Sequence, residues 1–165
     1  MARLQARLSL KGRALQLLAQ RDQSRVELRA KLLRHVAAEA RAKARDGGAE
    51  DADGDEARRE EVEALLDWLE AHRYLSAERF AESRIHAREA RFGNRRIRAE
   101  LARHGVAVPA EAASALAESE LQRATAVCER RFAGPPVDAA ERAARARFLA
   151  GRGFSPEVIQ RLIRR

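Results

Sequence analysis

The sequence predicts an all-α protein, with three tandem three-helix repeats in an elongated, curved array. Three observations lead there. Leu28-Arg-Ala-Lys-Leu-Leu-Arg-His35 recurs as Ile97-Arg-Ala-Glu-Leu-Ala-Arg-His104, with five of eight positions identical and a Leu-to-Ile exchange at a sixth. A fainter third copy follows, with Leu101-Ala-Arg-His-Gly-Val106 echoed by Leu149-Ala-Gly-Arg-Gly-Phe154. Finally, apolar residues fall at helical spacing while the alternating β-branched runs that mark strands do not occur. A repeated helical unit is the mark of a stacked array, whose common role is to present a surface to a partner.

The first repeat, residues 1–75, is expected to use helices at about 10–20, 24–36 and 58–73. Ser24, three residues before Glu27, predicts a capped start for its second helix. Val62, Leu65, Leu66 and Leu69 give the third helix an i, i+3, i+4, i+7 apolar face. Between them lies an insertion, Ala37–Ala57. Its alanine-rich first half can prolong the preceding helix, whereas its acidic, glycine-rich second half predicts a mobile loop. That loop is read as an unselected insertion in preference to an intramolecular decoy for the basic surface.

The second repeat, 76–118, is expected at about 77–91, 94–104 and 109–118, with Asn94 as the N-cap of its middle helix. The third, 119–165, follows at about 119–132, 137–151 and 155–164, after a break at Gly134-Pro-Pro136. Gly105 and Gly153 stand at equivalent places just past their helices, where a left-handed cap favours glycine. Pro109 and Pro156 fall near first turns, which tolerate a missing N–H. Each helix is short and marginal alone, so packing must supply the stability.

The chain has 165 residues and a formal net charge of +8, which favours an anionic partner. Lysine occurs only at Lys11, Lys31 and Lys43, so the positive charge is nearly all arginine. Pairing with phosphate or carboxylate explains this no better than an arginine-favouring composition does. Cys128 is the single cysteine, which excludes an internal disulfide, implies a reducing compartment and suits a small buried thiol. Arginines interrupt the N-terminal apolar residues, so no signal peptide is read there, and no stretch reaches the roughly 18 apolar residues of a membrane span. A soluble, cytoplasmic protein is expected.

The residues offer no catalytic set. His35, His72, His86 and His104 lack metal spacing with one another or with Cys128, and no phosphate-cradling loop or nucleophile motif occurs. No cofactor, no metal and no enzymatic activity are expected. Trp68 is assigned to packing between repeats, and Phe80 and Phe92 to anchoring their helix. Arg84, Arg88 and Arg91 share one face of their helix, and Arg95 and Arg98 share one on the next. These faces converge on a tight Phe92-Gly-Asn94 turn, which makes a compact positive patch. A solvated face balanced by Glu78, Glu82, Glu89 and Glu100 accounts for it equally well.

Four stretches carry a family resemblance. They are Ala14-Leu-Gln-Leu-Leu-Ala-Gln-Arg21 leading to Ser24-Arg-Val-Glu-Leu-Arg-Ala-Lys-Leu32; Leu66-Asp-Trp-Leu-Glu-Ala-His-Arg-Tyr-Leu75; Glu78-Arg-Phe-Ala-Glu-Ser83; and Gly93-Asn-Arg-Arg-Ile-Arg-Ala-Glu-Leu101 with Gly105-Val106. In these the chain resembles the RecX family of recombinase regulators, from about Leu10 onward and less closely in the third repeat. The resemblance implies three tandem three-helix repeats. It also implies a non-enzymatic protein that binds the RecA filament on single-stranded DNA and suppresses strand exchange, ATP hydrolysis and co-protease function. Two departures stand out, the Ala37–Ala57 insertion and a phenylalanine at Phe92 where the family often has tyrosine. A monomer is expected, with weak direct DNA contact as a secondary expectation. The alternative is a nucleic-acid-binding protein without a dedicated protein partner. The resemblance transfers no contact residues. Arg88, Arg91, Arg95, Arg96 and Arg98 are the filament-binding candidates on the strength of their spacing alone.

Overall fold

The computed structural model describes residues 8–45 and 52–164. Its described residues form eight helices and no strand: α1 (Leu10–Gln20), α2 (Arg25–Arg45), α3 (Ala52–Ala71), α4 (Ala77–Glu89), α5 (Asn94–Arg103), α6 (Ala110–Glu129), α7 (Ala139–Gly151) and α8 (Pro156–Ile163). The chain divides into two compact units, with the division inside α4 after Phe80.

In the first unit α2 packs against α1 and α3. The repeat motif places Leu28 and Leu32 one turn apart, and both are fully buried with Ala14, Val62, Leu66 and Leu69. Truncating one such leucine to alanine costs about 2–5 kcal/mol, through lost transfer energy and the cavity left behind. Ser24 Oγ accepts the Glu27 N–H at 3.1 Å, so the expected cap forms. Arg25 ties α2 to α3 through Glu63, Asp67 and Glu70, and Arg29 joins it on Glu63. Burial works against the charge on Arg25, but the hydrogen bonds to Glu63 and Asp67 and the pull of Glu70 outweigh it and raise its pKa. The same arginines, Arg29 foremost, hold the Glu63 carboxyl below its ordinary value.

Three expectations are corrected here. The acidic half of the insertion is not a loop throughout: α2 continues to Arg45 and α3 begins at Ala52, while residues 46–51 lie outside the described residues. Acidic side chains suit a helix N-terminus, and Asp55–Arg58 and Glu56–Arg59 pair one turn apart at 2.6 and 3.3 Å. Trp68, expected to pack between repeats, is found within the first unit. It sits against that unit's core, with Lys11 Nζ 3.4 Å from its ring centre and the His72 and Tyr74 rings stacked at 4.1 and 5.6 Å. Lastly, the helices expected at about 109–118 and 119–132 are one helix, α6. No glycine or proline stands between Ala110 and Glu129, so nothing in the chain terminates it.

In the second unit α6 packs against α5, α7 and α8. Ala124, Val127 and Cys128 of α6 bury against Leu149, Phe154 and Ile159, with Phe132 and Phe148 edge to face at 5.4 Å. Burial raises the Cys128 thiol pKa. Gly105 and Gly153 have φ of 68° and 81°, the left-handed caps the repeat predicted, and Pro156 opens α8. Arg145 is buried, donating to the carbonyls of Gly134 and Ala133 and so holding the proline-rich turn.

Candidate functional site

The predicted arginine patch is built around the α4–α5 turn. That turn is fixed from below by one buried carboxylate, Glu120 of α6, which is 4 % exposed. Glu120 Oε1 accepts the Asn94 N–H at 2.9 Å and the Ser155 N–H at 3.1 Å, and its Oε2 accepts the Ser155 hydroxyl at 2.9 Å. One side chain thereby serves the starts of both α5 and α8.

Two further amides at the start of α5 are taken by the α7–α8 turn. Gly93 N–H donates to the Arg152 carbonyl and Arg95 N–H to the Gly153 carbonyl, both at 3.0 Å. The approach is close enough to require glycine. A Cβ on Gly93 would lie 2.2 Å from the Phe154 nitrogen, and one on Gly153 would lie 2.5 Å from Arg96 Cβ. These protein partners satisfy the amides of Gly93, Asn94 and Arg95 at the start of α5.

Asn94 is not the N-cap expected of it. Gly93 caps α5, and Asn94, its first residue, is buried and donates its side-chain amide to the Leu116 carbonyl at 3.0 Å. Arg123 completes the network, donating to Asn94 Oδ1, to the carbonyls of Glu89 and Phe92, and to that of Leu116. Burial lowers the Arg123 pKa, opposed by Glu120 and Glu89. The backbone oxygens left over at the end of α4 find their donor here, which is why a charged group is tolerated at this depth.

On this frame the five candidate arginines separate. Arg88 is committed internally: its Nε lies 3.1 Å from Glu100 Oε2, and Arg84 reaches the same carboxylate at 3.6 Å. The Glu100 side chain is only 16 % exposed, so this pair links α4 to α5 and neutralises much of the α4 face.

Arg91 and Arg96 gather on Phe92, with guanidinium carbons 5.7 and 4.3 Å from its ring centre. Phe92 is therefore a half-buried platform for cations and not the core anchor expected; Phe80, at 1 % exposure, is the anchor. Arg95 and Arg98 are exposed and have no ion-pair partner among the described residues.

The sequence reading missed Arg152. Its guanidinium lies 5.8 Å from the Phe92 ring and 4.9 Å from that of Phe148, and it donates to the Arg91 carbonyl at 3.3 Å. The signal was present in the third copy, where Arg152-Gly153 aligns with His104-Gly105. The surface cations are thus Arg91, Arg95, Arg96, Arg98 and Arg152, able to meet phosphate or carboxylate oxygens through several N–H groups each. Among the described residues no group of three or more His, Cys, Asp or Glu side chains could hold a metal. No described helix is long and apolar enough to cross a membrane.

Sequence comparison places residues 78–110 on the second three-helix domain of RecX and residues 118–163 on the third. The regulatory protein RecX of Ralstonia nicotianae is 47 % identical over 158 residues, covering 94 % of this chain and 87 % of the relative. The chain belongs to the RecX family. RecX of Ralstonia pickettii is 45 % identical over the same shares, and RecX of Herbaspirillum seropedicae 43 % over 93 % and 88 %. The crystal structure of RecX from Lactobacillus salivarius matches with a TM-score of 0.63 at 16 % identity, over 94 % of this chain and 92 % of that one. The RecX fold thus persists where few residues are shared. The Glu120–Asn94–Arg123 network lies across the stretches assigned to the second and third RecX domains.

Proposed function

We propose that this chain binds the RecA filament on single-stranded DNA and lowers its strand exchange, ATP hydrolysis and co-protease function, as a regulator of DNA repair and the SOS response. It acts by binding in the cytoplasm, as a monomer without a cofactor. Membership of the RecX family carries this reading. The surface assigned to the filament is the patch of Arg91, Arg95, Arg96 and Arg98 with Arg152; Arg88 contributes by fixing α4 to α5.

The test is RecA ATP turnover on single-stranded DNA at saturating protein. Turnover should fall with the wild type, and inhibition should be lost with Arg95→Glu combined with Arg98→Glu. Unchanged turnover with the wild type counts against the reading. A second reading, direct nucleic-acid binding without a protein partner, draws support from the net charge of +8. It predicts tight, steeply salt-dependent binding to naked DNA with no recombinase present.

A further inference from the structure

The repeated motif permits a position-by-position comparison of α2 with α5, each within its own unit. Arg29, Ala30, Leu32, Arg34 and His35 reappear as Arg98, Ala99, Leu101, Arg103 and His104, but the fourth position changes sign, from Lys31 to Glu100. In the second unit Glu100 draws in Arg84 and Arg88 from the preceding helix. The first unit has no such counter-charge at that position. There the preceding helix, α1, and α2 enclose an open cavity of about 380 Å³ lined by Arg13, Leu17, Lys31, Arg34 and His35. Four of these five residues are basic or can become so, and none is a carboxylate.

The hydrogen bonds of the three permanent cations go to neutral groups. Arg13 donates to Gln16 Oε1 at 2.9 Å, Lys31 to Gln23 Oε1 at 2.8 Å and Arg34 to the Ala30 carbonyl at 3.1 Å. Two carboxylates stand at the margin. Glu27, 3.9 Å from Lys31, is engaged by Arg21 through both oxygens, and Glu39 lies 3.7 Å from His35 Nε2, beyond hydrogen-bond range. His35 Nε2 is buried without a hydrogen-bond partner among the described residues. Clustered like charges around a small cavity repel one another until an anion enters.

We infer that the α1–α2 cavity of the first unit is a phosphate-binding site, distinct from the arginine patch on α5. Arg13 and Arg34 supply planar N–H forks and Lys31 a compact charge, and His35 lines the cavity beside them. The cavity has room for a phosphate group, either free or part of a nucleic-acid strand. This assignment does not depend on the RecA reading, since it uses other helices and its assay contains no recombinase.

The test is calorimetric titration of the full chain with inorganic phosphate and, separately, with a short single-stranded oligonucleotide. The His35 ring resonances are followed by NMR in the same titrations. Two variants are compared with the wild type. Lys31→Glu installs the residue the second repeat already carries. Arg34→Gln alters an exposed side chain whose only hydrogen bond among the described residues is to its own helix, and so guards against a folding artefact; melting curves accompany both.

Phosphate should shift the wild-type His35 resonances, and each variant should weaken binding. For the oligonucleotide, the slope of log affinity against log salt should fall by about one per cation removed. Loss of affinity for both ligands identifies a site for phosphate by itself. Loss for the oligonucleotide alone identifies a site for a strand phosphate supported by neighbouring contacts. Unchanged affinity of both folded variants for both ligands, with His35 unmoved by phosphate, overturns the assignment.

Discussion

Replacing Glu120 tests whether one buried carboxylate holds the α5 and α8 starts together. It accepts three hydrogen bonds at 2.9–3.1 Å, two from backbone amides and one from the Ser155 hydroxyl. Hydrogen bonds to a charged acceptor contribute about 1.5–3 kcal/mol each, though bonds sharing one acceptor do not add independently. Glu120→Ala leaves those donors unanswered and deprives Arg123 of a neighbouring negative charge, so a loss of about 3–5 kcal/mol is expected. Glu120→Gln keeps the volume and one carbonyl acceptor and should cost about 1–2 kcal/mol. In a unit the size of Ala81–Arg165 each kcal/mol lowers the midpoint by about 4–8 °C.

Denaturant unfolding followed by far-ultraviolet circular dichroism measures the loss. Native-state hydrogen exchange locates it, with the Asn94 and Ser155 amides exchanging faster in the glutamine variant. A Glu120→Ala protein within about 0.5 kcal/mol of wild type, the range of an ordinary surface substitution, would refute the argument. So would unaltered exchange at those two amides in the glutamine variant.

Other predictions follow from the same geometry. Gly93→Ala should destabilise by several kcal/mol, because its Cβ would meet backbone atoms of Gly153 and Phe154 at 2.2–2.3 Å. Gly151→Ala, where nothing lies within 4 Å, should instead stabilise by up to about 1 kcal/mol; paired thermal melts check both. Glu63 has its folded pKa held below the ordinary 4.5, so its contribution is present above that value and is lost as pH falls through the lower, folded pKa. Trp68, the only tryptophan, reports acid unfolding of the first unit, and Glu63→Gln should remove part of that pH dependence. Finally, Arg95→Glu with Arg98→Glu should keep full helicity yet abolish RecA inhibition. Reversal of Arg142 and Arg147 should be milder, with Arg145 left alone because it is buried.

The helical fold was legible because its signals are local. The eight-residue repeat, the Ser24 cap, the left-handed glycines at Gly105 and Gly153 and the proline at Pro156 each act within a turn or two of the chain. What misled was a rule applied against those signals. Splitting α6 into two helices followed from the repeat count, while the residues between Ala110 and Glu129 contain no stop. The acidic insertion was read from composition, which registers glycine and charge but not the pairing of Asp55 with Arg58 one turn on.

The site was harder to read because it depends on contacts far apart in sequence. Helical spacing correctly put Arg84 and Arg88 on one face, yet spacing cannot show that a carboxylate on the next helix consumes that face. Asn94 has the chemistry of a cap, and Glu120 took that role from 26 residues away. Once Glu120 and Arg123 occupy the underside of the turn and Glu100 neutralises α4, the positive surface shifts toward α5 and the α7–α8 turn. Arg152 then faces Phe92 alongside Arg96. The patch is consequently a product of the contacts between the α4–α5 turn and the α7–α8 turn, which bond to each other directly and share Glu120 of α6.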